Sequence, residues 1–345
     1  MTDRRKLDHV RLALRDPGTD RMRHHFDRLV LRHRALPEIN LESVDTSVQL
    51  FGRRLSFPLI IASMTGGSPR RLQRVNRNLA RAAQRCGVGM GVGSQRVMFT
   101  HRTARDSFRL REVAPDTLLL ANLGAVQLNC GFGAEECRDA VEVLGADGLY
   151  LHLNPLQEAV QPEGEARFAG LAEKIGDIAA RLPVPVIVKE VGCGLDVGDV
   201  ESLLERGVRH FEVAGSGGTS WSRIEHMRQP KADGHDLGLV FQDWGIPTPL
   251  ALERLRPLQG RIVLIASGGI RTGIDMVKAM VLGASACAIA LPFLHAAWRS
   301  QAHVEKLIDV LRREFRLAMF LLGVRRIGEL IGNDELLLVD PFRST

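Results

Sequence analysis

The sequence predicts an α/β fold, a (β/α)8 TIM barrel with an N-terminal extension and a C-terminal helix. Eight short apolar runs follow one another after residue 57, and each has the length of a buried strand. Amphipathic segments such as residues 70–85 and 170–182 separate the runs, and they are long enough for the crossover helices that parallel strands need. No low-complexity linker or internal repeat divides the chain, so we expect one domain over residues 58–345.

The number of predicted strands, eight, favours a barrel. A doubly wound sheet is the alternative, and it would need fewer strands and a dinucleotide-binding glycine motif after the first one. The first run ends instead in ASMTGGS, which lacks the GxGxxG spacing. We therefore expect a barrel, preceded by an extension over residues 1–57 and followed by a helix beyond Trp298. The predicted strands are residues 58–63, 87–93, 117–124, 148–154, 185–191, 210–215, 261–269 and 286–293.

Composition limits the functional class. Charged residues make up 25% of the 345 residues, and no apolar run reaches the roughly 18 residues that a membrane span needs. The charged N-terminus lacks the apolar core of a secretory signal, and the five cysteines form no CxxC pair, so we expect a reduced, cytoplasmic protein. The net charge of +6 favours an anionic partner. With one tyrosine and scattered arginines, we expect a phosphorylated small molecule rather than nucleic acid.

Polar residues collect where the early strands end, which is the catalytic face of this fold. The fourth strand runs into HLNPLQE, and because side chains alternate along a strand, His152 and Asn154 share a face. Gln157 and Glu158 follow on the next turn. The ends of the first three strands supply Ser63, Met64, Thr65, Ser94, Gln95, Arg96 and Asn122.

The fifth strand carries a lysine, Lys189, within the apolar run PVIVKEV. Alternation places Glu190 on the opposite face, so a local pair between the two is not expected. A lysine inside a barrel requires an anion, which a cofactor or substrate could supply. A structural ion pair within the barrel is the alternative.

The seventh strand runs into SGGIRTG and then a helical pattern. Such a junction presents backbone N–H groups and a helix N-terminus to a phosphate, and in barrels the eighth strand commonly completes the site. The chain has no paired-carboxylate arrangement, GxSxG or HExxH. The sequence therefore predicts that a bound cofactor supplies the reactivity.

Motifs along nearly the whole chain resemble those of the type 2 isopentenyl-diphosphate isomerases. Three of them, HLNPLQE, GSQR and the N-terminal RK, distinguish this family, whereas SGGIRTG is shared with other FMN barrels such as the 2-hydroxy-acid oxidases. The other matching stretches are ASMTGGS, ANLGA, PVIVKEVGCGL, AGSGGTSW and DWGIPT. The resemblance implies an enzyme that interconverts isopentenyl and dimethylallyl diphosphate by a flavin-mediated proton shift with no net redox change. It further implies FMN, NADPH as reductant, Mg²⁺, and a homotetramer or homo-octamer.

The resemblance also implies roles for individual residues. His152, Gln157 and Lys189 are implied as catalytic, Glu158 as the Mg²⁺ ligand, and the N-terminal arm as a cover over the diphosphate. The implied flavin contacts are Ser63, Met64, Thr65, Ser94, Asn122, Lys189 and Thr219, with Gly268, Gly269, Ile270, Arg271, Ala290 and Leu291 at the flavin phosphate. The implied substrate contacts are Arg5, Lys6, Ser94, Gln95, Arg96, His152, Asn154 and Gln157.

Two other functions are compatible with the same barrel. An FMN-dependent 2-hydroxy-acid oxidoreductase would share the strand-seven motif, and the hydroxy acid alone would bleach its flavin. A barrel that only binds a phosphorylated ligand would be colourless and would take up no FMN.

Overall fold

The computed structural model describes residues 2–64, 66–228 and 236–342. A closed barrel of eight parallel strands forms its centre, as the sequence predicts, and neighbours along the chain are neighbours in the sheet. The barrel closes where β8 pairs in parallel with β1, with Cys287 beside Leu59. The strands are β1 (Leu59–Ile61), β2 (Gly89–Gly91), β3 (Leu119–Gly124), β4 (Gly148–His152), β5 (Val186–Lys189), β6 (His210–Glu212), β7 (Val263–Ser267) and β8 (Ala286–Ile289).

Helices surround the barrel and cover its upper rim. The predicted helix beyond Trp298 is the long α13, which packs against α2, α11 and α12. None of the helices in the described ranges combines the length and the apolar character that a bilayer-spanning segment needs. The helices are α1 (Thr2–Arg15), α2 (Arg70–Cys86), α3 (Val97–Thr100), α4 (Ala134–Leu144), α5 (Pro155–Val160), α6 (Leu171–Arg181), α7 (Val197–Glu205), α8 (Trp221–Arg228), α9 (Leu237–Val240), α10 (Thr248–Leu255), α11 (Gly273–Val281), α12 (Leu291–Arg299) and α13 (Gln301–Leu322).

The barrel interior is apolar at its base. A hairpin of residues 48–50 and 53–55 closes the N-terminal end of the barrel and contributes buried Leu50 and Leu55 to this inner core. Tyr150, Ile187 and Ile265 join the same core from three barrel strands. The base of the barrel is therefore filled by side chains of the described residues, as is typical of this fold.

The N-terminal extension packs onto the barrel rather than standing apart from it. Val10, Phe26 and Val44 belong to the same hydrophobic cluster as the barrel helices. Residues Val30 and Leu31 also pair antiparallel with the chain's last strand, Leu337–Val339. The boundary at residue 57 stays a prediction, because the extension shares one core with the barrel.

The connection after β6, over residues 216–245, is more than a simple loop. It contains two short helices, α8 and α9, which pack on each other, and α8 also packs against α1. Residues 229–235 of this connection lie outside the described residues. The connection thus forms part of the rim above the strand ends and contacts the N-terminal helix directly.

Candidate active site

A cavity of about 220 Å³ opens at the C-terminal ends of the barrel strands, and every strand or the turn after it contributes to its lining. The alternation of strand side chains explains its chemistry. Leu120, Tyr150 and Ile187 point into the apolar base of the barrel. Two residues further along the same strands, and therefore one layer higher, Asn122, His152 and Lys189 line the cavity. The cavity floor is polar on this side because each of these three strands changes from an apolar to a polar inward residue near its end.

Lys189 lies at this floor beside the carboxylate of Glu212, which was not predicted from the sequence. Its Nζ is 3.3 Å from Oε1 of Glu212 on the neighbouring strand β6, and it donates a hydrogen bond of 2.6 Å to the backbone carbonyl of Glu190. Both side chains are at least nine-tenths buried and both line the cavity. The structure thus contains an ion pair within the barrel, which was the alternative interpretation of Lys189. Lys189 also borders the cavity, where an anionic ligand would lie.

The protonation state of His152, another residue of the cavity floor, follows from its surroundings. Its Nδ1 lies 2.7 Å from Oδ1 of Asn122, and because an amide oxygen only accepts, this contact places the ring proton on Nδ1. Burial, followed by the nearby charges of Lys189 and Lys6, lowers the pKa of His152 to about 3. The imidazole is therefore neutral at neutral pH.

The HLNPLQE stretch forms the turn from β4 into α5. Pro155 occupies the first helical turn, where its missing N–H costs nothing. The side-chain amide of the buried Asn154 donates to Oε1 of Gln157 and to Oε1 of Glu158, both at 3.1 Å. Oε2 of Glu158 accepts from the backbone N–H of Glu165 at 2.6 Å. The carboxylate of Glu158 is thus held at the cavity edge with its orientation set by two donors.

The N-terminal helix α1 covers one side of the cavity. Arg5, Lys6, His9, Val10 and Ala13 lie on the helix face that lines it, with the three- and four-residue spacing that places side chains on one side of a helix. The ammonium of Lys6 donates to the carbonyl of Ser94, which follows β2. This face presents cations near the start of the helix and apolar side chains further along it.

The turn after β7 forms a glycine cradle, but the helix behind it differs from the expectation. Gly268 and Gly269 have φ of 95° and 81°, and a Cβ on Gly268 would lie 2.1 Å from the carbonyl oxygen of Gly215. Asp275 accepts the backbone N–H groups of Arg271 and Thr272, and Glu314 accepts that of Gly273. The N-terminus of α11 is therefore already capped by carboxylates of this chain. Among the described residues, the N–H groups of Gly269 and Ile270 have no acceptor.

Sequence comparisons place the chain among known proteins. A profile described as FMN-dependent dehydrogenase matches residues 5–110 and 165–337. A protein of Paracoccus zeaxanthinifaciens named isopentenyl-diphosphate delta-isomerase is 56% identical over 337 residues, which is 96% of each chain. A relative of the same name from Hydrogenovibrio crunogenus is 50% identical over 97% of each chain. The chain belongs to the isopentenyl-diphosphate delta-isomerase family.

Solved structures confirm the barrel of this family member. Flavocytochrome b2 with bound sulfite superimposes with a TM-score of 0.71 at 20% identity, covering 98% of this chain and 84% of that one. Mandelate oxidase with 2-hydroxy-phenylacetamide superimposes with a TM-score of 0.63 at 22% identity, covering 94% and 96%. At these identities the likeness shows a common fold and nothing finer.

Most of the residues that the family resemblance pointed to do meet at the cavity. Thr65 lies outside the described residues. Gln95 is fully buried and does not line the cavity: its amide nitrogen donates to the carbonyl of Ala140, and its oxygen accepts from the backbone of Asn122. The residues that line the cavity are Arg5, Lys6, Ser63, Met64, Ser94, Arg96, Asn122, His152, Asn154, Gln157, Glu158, Lys189, Thr219, Gly268, Gly269, Ile270, Arg271, Ala290 and Leu291.

The sequence did not lead us to predict several residues that line or adjoin the cavity. Glu212 ends β6 at the place where Lys189 ends β5, so the argument that selected Lys189, a charged side chain within an apolar strand, could have selected it as well. Asp20 pairs with Arg271 at the glycine cradle. His9 and Trp221 stack edge to face at 5.4 Å between α1 and α8, a contact with no signal in the sequence.

Proposed function

We propose that this protein interconverts isopentenyl diphosphate and dimethylallyl diphosphate by a flavin-mediated 1,3-allylic proton shift with no net redox change. FMN, NADPH as the reductant and Mg²⁺ are the proposed cofactors. The observation that carries the proposal is the 56% identity, over 96% of both chains, to a protein named for this isomerisation. The cavity supports it, because its floor is polar and its rim carries cations.

The cavity residues fit a flavin. Ser63 Oγ and Glu212 Oε2 are buried polar atoms without a hydrogen-bond partner among the described residues, which indicates a missing polar ligand. Gly268 and Gly269 leave the backbone open to a phosphate, with the unused N–H groups of Gly269 and Ile270 beside them. Lys189 at the floor would hold the flavin end that becomes anionic on reduction. Reduced FMN would supply the group that gives a proton to the alkene and the negative charge that stabilises a neighbouring cation.

The remaining cavity residues suit an isoprenoid diphosphate. Arg5, Lys6 and Arg96 supply positive charge for a diphosphate near the rim. Val10 and Ile224 line the same cavity and would contact a branched five-carbon chain. The cavity therefore offers a charged end and an apolar end to one small ligand.

Residues of the turn after β4 also have roles in the proposed reaction. His152 is neutral, so it can orient the substrate by hydrogen bonding without taking up a proton at neutral pH. The amide of Gln157 is held by Asn154 on one side and donates to Glu225 at 2.8 Å on the other, so its orientation is determined before a ligand binds.

Glu158 is the proposed Mg²⁺ ligand. Within the described ranges, no three His, Cys, Asp or Glu side chains cluster in a way that could hold a metal ion. Mg²⁺ commonly binds through one or two carboxylates and completes its octahedron with water and substrate phosphate oxygens. A single carboxylate at the cavity edge suits that mode, in which the metal arrives with the diphosphate.

An anaerobic assay tests the proposed reaction. With isopentenyl diphosphate, Mg²⁺ and FMN, we expect no turnover until NADPH or dithionite has reduced the flavin, and then many turnovers for each reduction. In D₂O the product should carry deuterium in the carbon that becomes a methyl group. Reductant consumption in proportion to product, or an equal rate with oxidised FMN, would exclude the mechanism. Bleaching of the flavin by a 2-hydroxy acid alone would favour the oxidoreductase.

Three finer features belong to this proposal. We propose a homotetramer or homo-octamer, a cytoplasmic location, and NADPH as the reductant. Light scattering coupled to size-exclusion chromatography tests the first. Fractionation tests the second, and anaerobic stopped-flow with NADPH against NADH tests the third.

A further inference from the structure

The cavity floor contains a buried carboxylate with one oxygen unused. Glu212 is 1% exposed and lies opposite Lys189 in the register of β5 and β6. Its Oε1 accepts from Ser267 Oγ at 2.8 Å and lies 3.3 Å from Lys189 Nζ. Its Oε2 has no hydrogen-bond partner within the described residues. The carboxylate of Glu212 therefore lies at the floor directly beside the ammonium of Lys189.

The carboxylate of Glu190 is also buried next to Lys189, but three backbone N–H groups of the turn after β5 donate to it. Tyr150 lies below, with its ring 5.8 Å from Lys189 Nζ, and burial followed by the charge of Glu212 raises the pKa of its hydroxyl well above the usual value. His152, next to Lys189 across the β4–β5 register, is neutral. Lys189 and Glu212 thus form a pair with no net charge, whereas Lys189 alone would present a full positive charge to a ligand.

We propose that Glu212 is a positioning residue that offsets the charge of Lys189 and thereby lowers the reduction potential of the bound flavin. The inference rests on the proposed binding of FMN at this cavity. Reduction places negative charge on the flavin, which Lys189 stabilises and a carboxylate a few ångströms away opposes. By weakening the stabilisation of that charge, Glu212 keeps the reduced flavin a stronger base, which suits a cofactor that moves protons rather than electrons.

A structural role alone would give a different result. Glu212 also orders the turn after β6, since its partner Ser267 accepts from the backbone N–H of Ala214 at 3.1 Å. Loss of that order would lower stability or FMN affinity. It would not by itself make the reduction potential of the flavin more positive, which is the shift expected when the negative charge of Glu212 is removed.

Glu212→Gln is the main test, because glutamine has the same shape, keeps an oxygen for Ser267 and lacks the charge. The potential of bound FMN, measured by anaerobic spectroelectrochemistry, should become more positive than in the wild type. The reduced flavin should also keep its anionic spectrum to a lower pH. Ser267→Ala is the matched control, since it removes the hydrogen bond to Glu212 and leaves the charge, and its potential should stay at the wild-type value.

The outcomes separate this inference from the proposed function. Wild-type protein that binds no FMN would remove the proposed function and this inference with it. Wild-type protein that binds FMN, together with an unchanged or more negative potential in Glu212→Gln, would overturn this inference alone. Should Glu212→Gln not retain FMN, Glu212→Asp decides: withdrawing the carboxylate from Lys189 should give a smaller positive shift, and an unchanged potential there would count against the proposal.

Discussion

Nε2 of His9 on α1 lies 3.0 Å from Oε1 of Glu225 on α8, whose side chain has no exposed surface. The same carboxylate accepts from Gln157 on α5 at 2.8 Å and forms an ion pair with Arg228. Burial alone would raise the pKa of Glu225, but His9, Gln157 and Arg228 together hold it at about 2. One buried carboxylate therefore connects the N-terminal helix to the helix that carries Gln157 and Glu158.

Replacing Glu225 by glutamine should loosen α1 from the barrel. The change removes the buried carboxylate that His9 contacts and leaves Arg228 with the partly exposed Glu163 alone, which costs roughly 3 kcal/mol of the free energy of unfolding. Urea titration measures that loss, and limited trypsin digestion should cut α1 faster than in the wild type. Glu173→Gln removes an exposed partner of Arg206 and should change either value little. Equal protection of α1 in Glu225→Gln would show that this carboxylate does not hold the helix.

Glu158→Gln should raise the Mg²⁺ concentration needed for half-maximal activity by at least tenfold. The substitution removes the one anionic ligand that we assign to the metal, while the barrel and the flavin contacts stay in place. A magnesium titration at saturating substrate measures it, with FMN affinity as the internal check. Glu173→Gln serves again as the control, and an unaltered magnesium dependence would take Glu158 out of the metal site.

Lys189→Ala should destabilise the protein as well as weaken FMN binding. It leaves the buried carboxylate of Glu212 without its partner, and breaking such a pair typically costs roughly 3–5 kcal/mol. The double variant Lys189→Ala with Glu212→Gln should regain most of that stability but not the FMN affinity. Thermal unfolding of the apo protein and a flavin fluorescence titration measure the two effects. A double variant as unstable as the single one would contradict the pairing.

Alanine at both Arg5 and Lys6 should raise KM for isopentenyl diphosphate by roughly tenfold or more, which corresponds to about 1.4 kcal/mol of lost binding. FMN affinity should change little, because these cations lie on α1 at the rim of the cavity. Arg11→Ala is the matched control, since Arg11 is on the same helix, is half exposed and pairs with Asp8. A comparable KM increase in Arg11→Ala would indicate a general charge effect.

His152 should make the protein less stable in mild acid. Its pKa of about 3 in the folded protein lies below the ordinary value of 6.5, so the unfolded chain binds the proton more readily. The free energy of unfolding should therefore rise with pH between about 3 and 6.5, by at most about 1.4 kcal/mol per pH unit from this residue. In His152→Gln the rise between pH 5 and pH 7 should be smaller. His303→Gln, on the exposed face of α13, should keep the wild-type slope.

Local sequence was sufficient for the eight strands and for much of the cavity. A barrel strand is buried on both faces, so its apolar run is visible without knowledge of its neighbours. The alternation of side chains then places His152 above Tyr150 and Lys189 above Ile187. The need of a buried lysine for an anion also follows from its immediate surroundings, because desolvation of the ammonium is costly wherever it occurs.

Which side chains contact one another was determined only by the tertiary structure. Lys189 pairs with Glu212 because β6 lies beside β5 in a register that aligns the two residues, and that register is set by the packing of the whole sheet. Gln95 turns away from the cavity because the carbonyl of Ala140 on α4 accepts its amide. His9 reaches Glu225 because α1 packs on α8, and α11 has no free N-terminus because Asp275 and Glu314 cap it. Apart from the cap by Asp275, which lies within one helical turn, these contacts join segments that are distant in the chain, so a pattern along the sequence does not predict them.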